Sequence, residues 1–318
     1  MTLTAVPGVR VGHAQVPGGG SGCTVILGPF RGAVEVRGMA TGTRELGVLS
    51  PHHLVGQVNA LLLTGGSAFG LAGADGVMDW LAGRGEGFDT GVSPVPLVPT
   101  AVIFDLNPEV PRPGRTEGRR ASELASSAPV PEGRVGAGAG ATVGKLLGPG
   151  NASAGGVGSA SRLWGGGTVG ALAVVNSLGD VVGPGGSVLA GARGTDGTFI
   201  SSDSIVLRGE GFRSGFPGTN TTLVVVATDL PLSRIDLGRL AKMASAALPR
   251  AISPVNTTFD GDLIFSLSTG EGEEPFSPAD LLALGVVARE LTETAIRRAV
   301  AVHDEPEESD SAPDGESA

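Results

Sequence analysis

The chain has 318 residues, 41% of them hydrophobic, with 54 Gly, 10 Phe, 2 Trp and no Tyr. A chain of this length and composition buries a full core, which excludes general disorder, and that core must be built from Ala, Val and Leu. The formal net charge of -10 is unevenly spread: Asp304, Glu305, Glu307, Glu308, Asp310, Asp314 and Glu316 are seven acids in a stretch without a base, and setting them aside leaves -3. A nearly neutral body gives no electrostatic case for nucleic acid, and residues 304–318 are expected to form a disordered, solubilising tail. Cys23 is the only cysteine, so no intrachain disulfide and no cysteine-based metal site is expected, which fits a reducing cytoplasm. The start lacks a basic segment followed by an apolar one, and no apolar run approaches the roughly 18 residues of a membrane span.

In chain order, Thr24 to Leu27 and Ala33 to Arg37 read as two paired strands, and Val58 to Leu63 as a short buried run. After Gly65-Gly66, Ser67 is expected to cap a helix with Phe69, Ala72, Gly73, Gly76, Val77 and Trp80 on its inner stripe. Residues 84–118 are rich in Pro and Gly and enclose one expected strand, Ala101 to Leu106, before the charged Arg115 to Glu123 segment. Residues 133–170 carry dense Gly repeats, expected to expose backbone amides, and lead into a strand at Val169 to Val175. Thr222 to Ala227 reads as strand. Ser233 then caps a helix with Leu237, Leu240, Ala241, Ala244 and Leu248 on one face, and Leu263 to Leu267 gives another strand. Ser277-Pro278, with Asp280 in the first turn, opens a final helix striped by Leu281, Leu284, Ala288, Leu291 and Ala295. Strands and amphipathic helices in both halves, with no linker between, point to one layered α/β domain over residues 1–303.

Asn220-Thr221-Thr222, preceded by Gly218 and followed by Leu223 to Val226, has the form of a self-cleavage junction. A threonine hydroxyl is a poor nucleophile near neutrality, whereas a free α-amino group on the same residue, with a pKa of roughly 7.7–8, is a built-in base. The bland alternative is that Thr221 and Thr222 are β-branched strand residues. Lys145 is one of two lysines, the other being Lys242. Around Gly144-Lys145 the phosphate-loop pattern fails, because Ala139 and Leu146 stand where Gly and Ser or Thr belong. The dinucleotide fingerprint fails at Ala141. Lys145 is then either a solvated surface group or a cation beside a nucleophile. Asp260-Gly261-Asp262 puts two carboxylates on one side of an extended segment, as a turn or as an anchor for a new α-ammonium group. Asn176, at a strand end, is either a turn residue or an amide donor to an oxyanion. His13, His52, His53 and His303 show no metal spacing, and no Gly-x-Ser-x-Gly elbow is present.

These pieces in this order resemble the amino-terminal-nucleophile hydrolases of the DmpA type, which include L-aminopeptidase/D-esterases, β-aminopeptidases and nylon-oligomer hydrolases. The likeness runs through Leu62 to Leu71, Val98 to Asn107, Gly136 to Lys145, Gly156 to Ser161, Gly218 to Thr222, Val226 to Asp229 and Phe259 to Asp262, covering residues 5–300. It implies a four-layer α/β/β/α sandwich and cleavage between Asn220 and Thr221 into residues 1–220 and 221–318. It also implies a homo-oligomer, expected to be a tetramer of cleaved pairs. It further implies hydrolysis of a small amide or peptide substrate without cofactor or metal. Carried over by position, Thr221 is the nucleophile, Lys145 the neighbouring cation, Asn176 the oxyanion donor, and Asp260 with Asp262 the carboxylates orienting the new terminus. The Thr, Lys and paired Asp set is the nylon-hydrolase version of the pattern. The related ornithine acetyltransferases also use a threonine, but their Ala-Thr-Met-Leu junction is missing here.

Overall fold

The computed structural model describes residues 1–210 and 220–301; Gly218, Thr219 and the acidic stretch 304–318 lie outside the described residues. The strands that carry the architecture are β1 (Arg10–Gln15), β2 (Gly22–Val36), β3 (Thr43–Arg44), β4 (Val58–Thr64), β5 (Thr100–Val102), β6 (Gly156–Trp164), β7 (Gly167–Asn176), β8 (Thr221–Thr228) and β9 (Leu263–Ser268). The α-helices of six residues or more among the described residues are α1 (Gly73–Ala82), α2 (Arg115–Leu124), α3 (Ser202–Leu207), α4 (Arg234–Ala244) and α5 (Pro278–Ala301).

Hydrogen bonding runs β6-β7-β8-β9-β2-β4-β5-β3, with β1 also on β2. The long strand β2 serves two layers. Cys23 to Leu27 pair with β4 on one side and β1 on the other, whereas Arg31 to Val36 pair with β9, and the register breaks between Leu27 and Phe30. The two segments read from sequence as a paired hairpin are therefore the two halves of one strand, each paired elsewhere.

Three apolar clusters fill the three interfaces of a four-layer α/β/β/α sandwich. Cys23, Val25, Leu27 and Leu62 pack on α1 and α2 through Ala74, Val77, Leu81 and Ala121. Ile26, Phe30, Leu61 and Leu63 meet Leu172, Val174, Leu223, Val225 and Phe265 between the sheets. Val224, Val226 and Ile264 pack on α4 and α5 through Leu237, Leu240, Leu284 and Leu291. Alternate residues of β8 thus point into different layers, as the period-two geometry of a strand requires. Both faces of β8 are buried, which explains why its apolar run is continuous rather than alternating.

Ser233 caps α4 by accepting from Asp236 N at 3.1 Å, Ser277 Oγ accepts from Asp280 N at 3.1 Å at the start of α5, and the expected inner stripes of both helices are buried. Elsewhere the structure differs. Residues 67–72 form a 3-10 turn rather than an α-helix, Ser67 makes no cap hydrogen bond, and Phe69 is 58% exposed. The expected strand at Ala101 to Leu106 is limited to Thr100–Val102. Arg115–Leu124 is a helix, hidden from apolar periodicity because its buried residues are Gly118, Ala121 and Ser122. The glycines of β6 do not expose amides but admit α5: a Cβ on Gly158 would lie 2.1 Å from Ala295 O.

Candidate active site

Three adjacent strands end at one level. In the antiparallel β7–β8 pair Asn176 stands opposite Thr221, and in the parallel β8–β9 pair Leu223 stands opposite Leu263. Asp260 to Asp262, which lead into β9, therefore flank the start of β8, and a parallel bridge joins Asn220 to Asp260. Lys145 arrives from a separate turn, held by Lys145 N donating to Leu178 O at 3.0 Å and Gly144 N to Gly179 O at 3.1 Å. Gly144 has φ 73°, and a Cβ there would lie 2.0 Å from Ala192 N, so both conformation and space demand glycine.

The side chains cluster inside the sandwich, each held by its own hydrogen bonds. Asn176, Asn220, Thr221, Asp260 and Asp262 are all buried. Thr221 Oγ1 donates to the carbonyl of Asn220 at 2.5 Å. Lys145 Nζ donates to Asn176 Oδ1 at 2.7 Å and to Asn176 O at 3.0 Å, Thr142 N donates to the same Oδ1 at 3.0 Å, and Asn176 Nδ2 donates to Phe104 O at 3.1 Å. Asp262 Oδ1 accepts from Thr222 N at 2.6 Å and its Oδ2 from Asn256 N at 3.3 Å. Asp260 Oδ2 accepts from Thr257 N at 2.8 Å and Thr257 Oγ1 at 2.6 Å, and Gly261 N donates to Asn220 O at 2.8 Å.

Burial dominates the electrostatics. It brings the Lys145 ammonium down to about 7, against the opposing pull of the Asp260 and Asp105 charges. Asp260 and Asp262 are both pushed up, first by burial and, for Asp262, also by the charge of Asp260 beside it. Burial thus brings the charged and neutral forms of Lys145 close in energy near neutrality. Among the described residues no group of three or more His, Cys, Asp or Glu could hold a metal.

All the residues singled out from sequence thus meet in one place, though not each in the expected contact. Asp262 binds the backbone of β8 directly. Asp260 is turned onto its own Thr257, realising the turn reading for its side chain while its charge faces Lys145. The sequence reading passed over Asp105, which accepts from Gly66 N at 2.6 Å and Ser21 Oγ at 2.7 Å and is raised above the usual carboxylate range by burial. Its only signal was its place in the Val98 to Asn107 stretch. Asp105 shares a hollow with Leu106, Asn107 and Arg112, and Leu106 to Arg112 also line a cleft of about 670 Å³.

Residues 2–309 match the profile of peptidase family S58. An uncharacterized aminopeptidase of Mycobacterium tuberculosis (strain ATCC 25618 / H37Rv) is 43% identical over 298 residues, covering 85% of this chain and 81% of the relative. A 6-aminohexanoate-oligomer endohydrolase of Paenarthrobacter ureafaciens is 32% identical over 309 residues, covering 92% and 84%. Among solved structures, a Burkholderia sp. β-aminopeptidase superposes with a TM-score of 0.67 at 26% identity, covering 94% of this chain and 85% of that one. The L-aminopeptidase D-Ala-esterase/amidase of Ochrobactrum anthropi, a variant of the Ntn hydrolase fold, gives a TM-score of 0.69 at 22% identity over the same shares, a likeness of fold alone.

Proposed function

The chain belongs to peptidase family S58 and is an amide-bond hydrolase, and on that footing we propose that it cuts itself between Asn220 and Thr221 and then works through the freed Thr221. The observation that carries this reading is the Thr221 hydroxyl held 2.5 Å from the Asn220 carbonyl oxygen inside a buried polar group. In the first stage the hydroxyl attacks that carbonyl, amide becomes ester, and water releases the new terminus. In the second, the hydroxyl attacks a substrate amide with its own α-amine as base, and water resolves the acyl-enzyme. Lys145 steadies the deprotonated hydroxyl, Asn176 donates to the substrate-derived oxyanion, and Asp260 and Asp262 orient the new ammonium.

Residues 1–220 and 221–318 remain together in this reading, since β8 lies hydrogen-bonded between β7 and β9. The cleaved pairs assemble as a homotetramer in the cytoplasm; among the described residues no helix is long and apolar enough to cross a membrane. The substrate is a peptide with a free amino terminus or an oligomer of an ω-amino acid such as 6-aminohexanoate, in keeping with relatives of both kinds.

Intact-mass spectrometry tests the first stage: two masses that split at Asn220/Thr221 are expected from the wild type and one from Thr221→Ala. A single mass from the wild type, or full hydrolase activity in Thr221→Ala, overturns the proposal. A panel of aminoacyl p-nitroanilides, β-peptides and 6-aminohexanoate oligomers then separates the substrate classes, and light scattering on the processed protein reads the assembly.

A further inference from the structure

We infer that the backbone N–H of Gly261 is the oxyanion donor for the cut between Asn220 and Thr221, a role that rests on the self-cleavage proposed above. Gly261 N already donates to the Asn220 carbonyl oxygen at 2.8 Å, the same oxygen that the Thr221 hydroxyl approaches at 2.5 Å. The plain alternative is an ordinary bridge between neighbouring chain segments, and three features go beyond it.

The first is the identity of the residue. Gly261 is not among the glycines at positive φ, so backbone conformation does not require it. Space does: a Cβ at 261 would lie 2.7 Å from Thr221 Oγ1 and 2.8 Å from Ala40 O. Only a residue without a side chain lets this amide and the nucleophile share the carbonyl.

The second is the support behind the donor. Ala40 N donates to Asp260 O at 2.9 Å, which is the carbonyl of the same peptide unit as the Gly261 N–H. Drawing electron density toward that oxygen makes the N–H at the other end of the unit a stronger donor. Arg37 N and Gly38 N hold Asp262 O, two residues further on, at 2.9 and 3.0 Å, and Gly38 fits so closely that a Cβ there would lie 2.2 Å from Asp260 O. The donor is thus fixed before the reaction, which is the condition for strong oxyanion stabilisation.

The third is that Asn176, the donor proposed for the substrate step, is oriented by other partners: its Nδ2 donates to Phe104 O, and its Oδ1 accepts from Lys145 and Thr142. Gly261 N is on the scissile carbonyl from the start.

In the step itself the Thr221 Oγ1–carbonyl carbon bond forms, and the carbonyl pair moves onto the oxygen held by Gly261 N–H. Collapse breaks the carbon–nitrogen bond, the hydroxyl proton ending on the Thr221 nitrogen, and an ester remains. Water adds to the ester carbon, the carbon–Oγ1 bond breaks, and Asn220 carboxylate and Thr221 hydroxyl are released.

The N–H can be removed without adding a side chain by placing glycolate at position 261 through nonsense suppression, which turns the amide into an ester. Maturation of freshly translated chain is followed by intact mass, with thermal unfolding measured on the same samples. Self-cleavage is expected to slow about 10²-fold, the usual effect of losing one oxyanion donor. Glycolate at Gly83, whose N–H bonds Asp79 O at 3.0 Å away from the site, is expected to leave the rate unchanged. Cleavage of the position-261 ester within about threefold of wild type overturns the inference while leaving self-cleavage standing; a wild type that never cleaves overturns both. If the position-261 ester fails to fold, lactate at position 40 decides, since it removes only the supporting N–H. A smaller slowing is expected there, and the wild-type rate overturns the inference.

Discussion

Lys145→Met, made in an intact Thr221→Ala chain, is expected to change the pH dependence of stability in a defined direction. The ammonium falls from 10.5 to about 7 because burial strips its water, only partly offset by Asp260 and Asp105. Between those two values the unfolded chain binds a proton that the folded chain has given up. Stability therefore rises with pH across this window, is complete above about 10.5, and is lost as pH falls toward about 7. The full gap corresponds to about 5 kcal/mol, which the partial exposure of Lys145 reduces to about 2–3 kcal/mol. Met fills similar volume without charge but removes the Lys145 donor from Asn176 O and from Oδ1, which keeps Thr142 N, at a cost of about 1–2 kcal/mol. The variant should thus exceed its parent by about 1 kcal/mol near pH 7 and fall below it by about 1–2 kcal/mol near pH 10. Urea titrations at about pH 7, 8.5 and 10 read the difference. Parallel profiles for the two chains would refute the reasoning, because they would mean that Lys145 keeps its water in the fold.

Two further expectations concern the frame around the site. Gly158→Ala drives a Cβ to within 2.1 Å of Ala295 O and 2.4 Å of Ala299 N, backbone atoms that cannot yield without lifting α5 from β6. A loss of about 3 kcal/mol, or roughly 4–6 °C in melting temperature, is expected by calorimetry, and an unchanged melt would show that the helix shifts freely. Cys23 is fully buried and its thiol is pushed up to about 12 by burial. Because the thiolate is the reactive form, a disulfide reagent is expected to find no thiol in the native protein and one after denaturation. Prompt native labelling would contradict the packing of Cys23 against α1.

The layered fold was legible because its strands and two of its helices obey simple periods. Leu223 to Ala227 form an unbroken apolar run, as a strand buried on both faces must, and the stripes on α4 and α5 fall at helical spacing behind Ser233 and Ser277. What escaped was written in glycine and serine. Helix α2 meets α1 through Gly118, whose Cβ would lie 1.9 Å from Gly73 O, and no apolar stripe announces a contact made by backbone on backbone. The same reason hid β6, whose Gly156 and Gly158 look like a loop until α5 is laid against them. Strand β2 misled differently: Gly28-Pro29 reads as a turn, yet the chain continues and changes partners there.

At the candidate site the residues picked from sequence lie together, but their contacts were not legible. Thr221, Lys145, Asn176, Asp260 and Asp262 come from four separated segments, and only pairing brings them together. That pairing is specified by the core. Because Leu223 and Val225 face the inter-sheet cluster while Val224 and Val226 face α4 and α5, a one-residue slip of β8 would exchange every side chain between layers. The register that satisfies the core is also the one that sets Asn176 opposite Thr221 and Leu223 opposite Leu263, and hence carries Gly261 to Asn220. The apolar run beyond the junction is therefore what aims it: a sequence change that loosened the register of β8 would carry the Thr221 hydroxyl and the Asn220 carbonyl together away from the Gly261 amide and Asn176, without touching any of the polar residues.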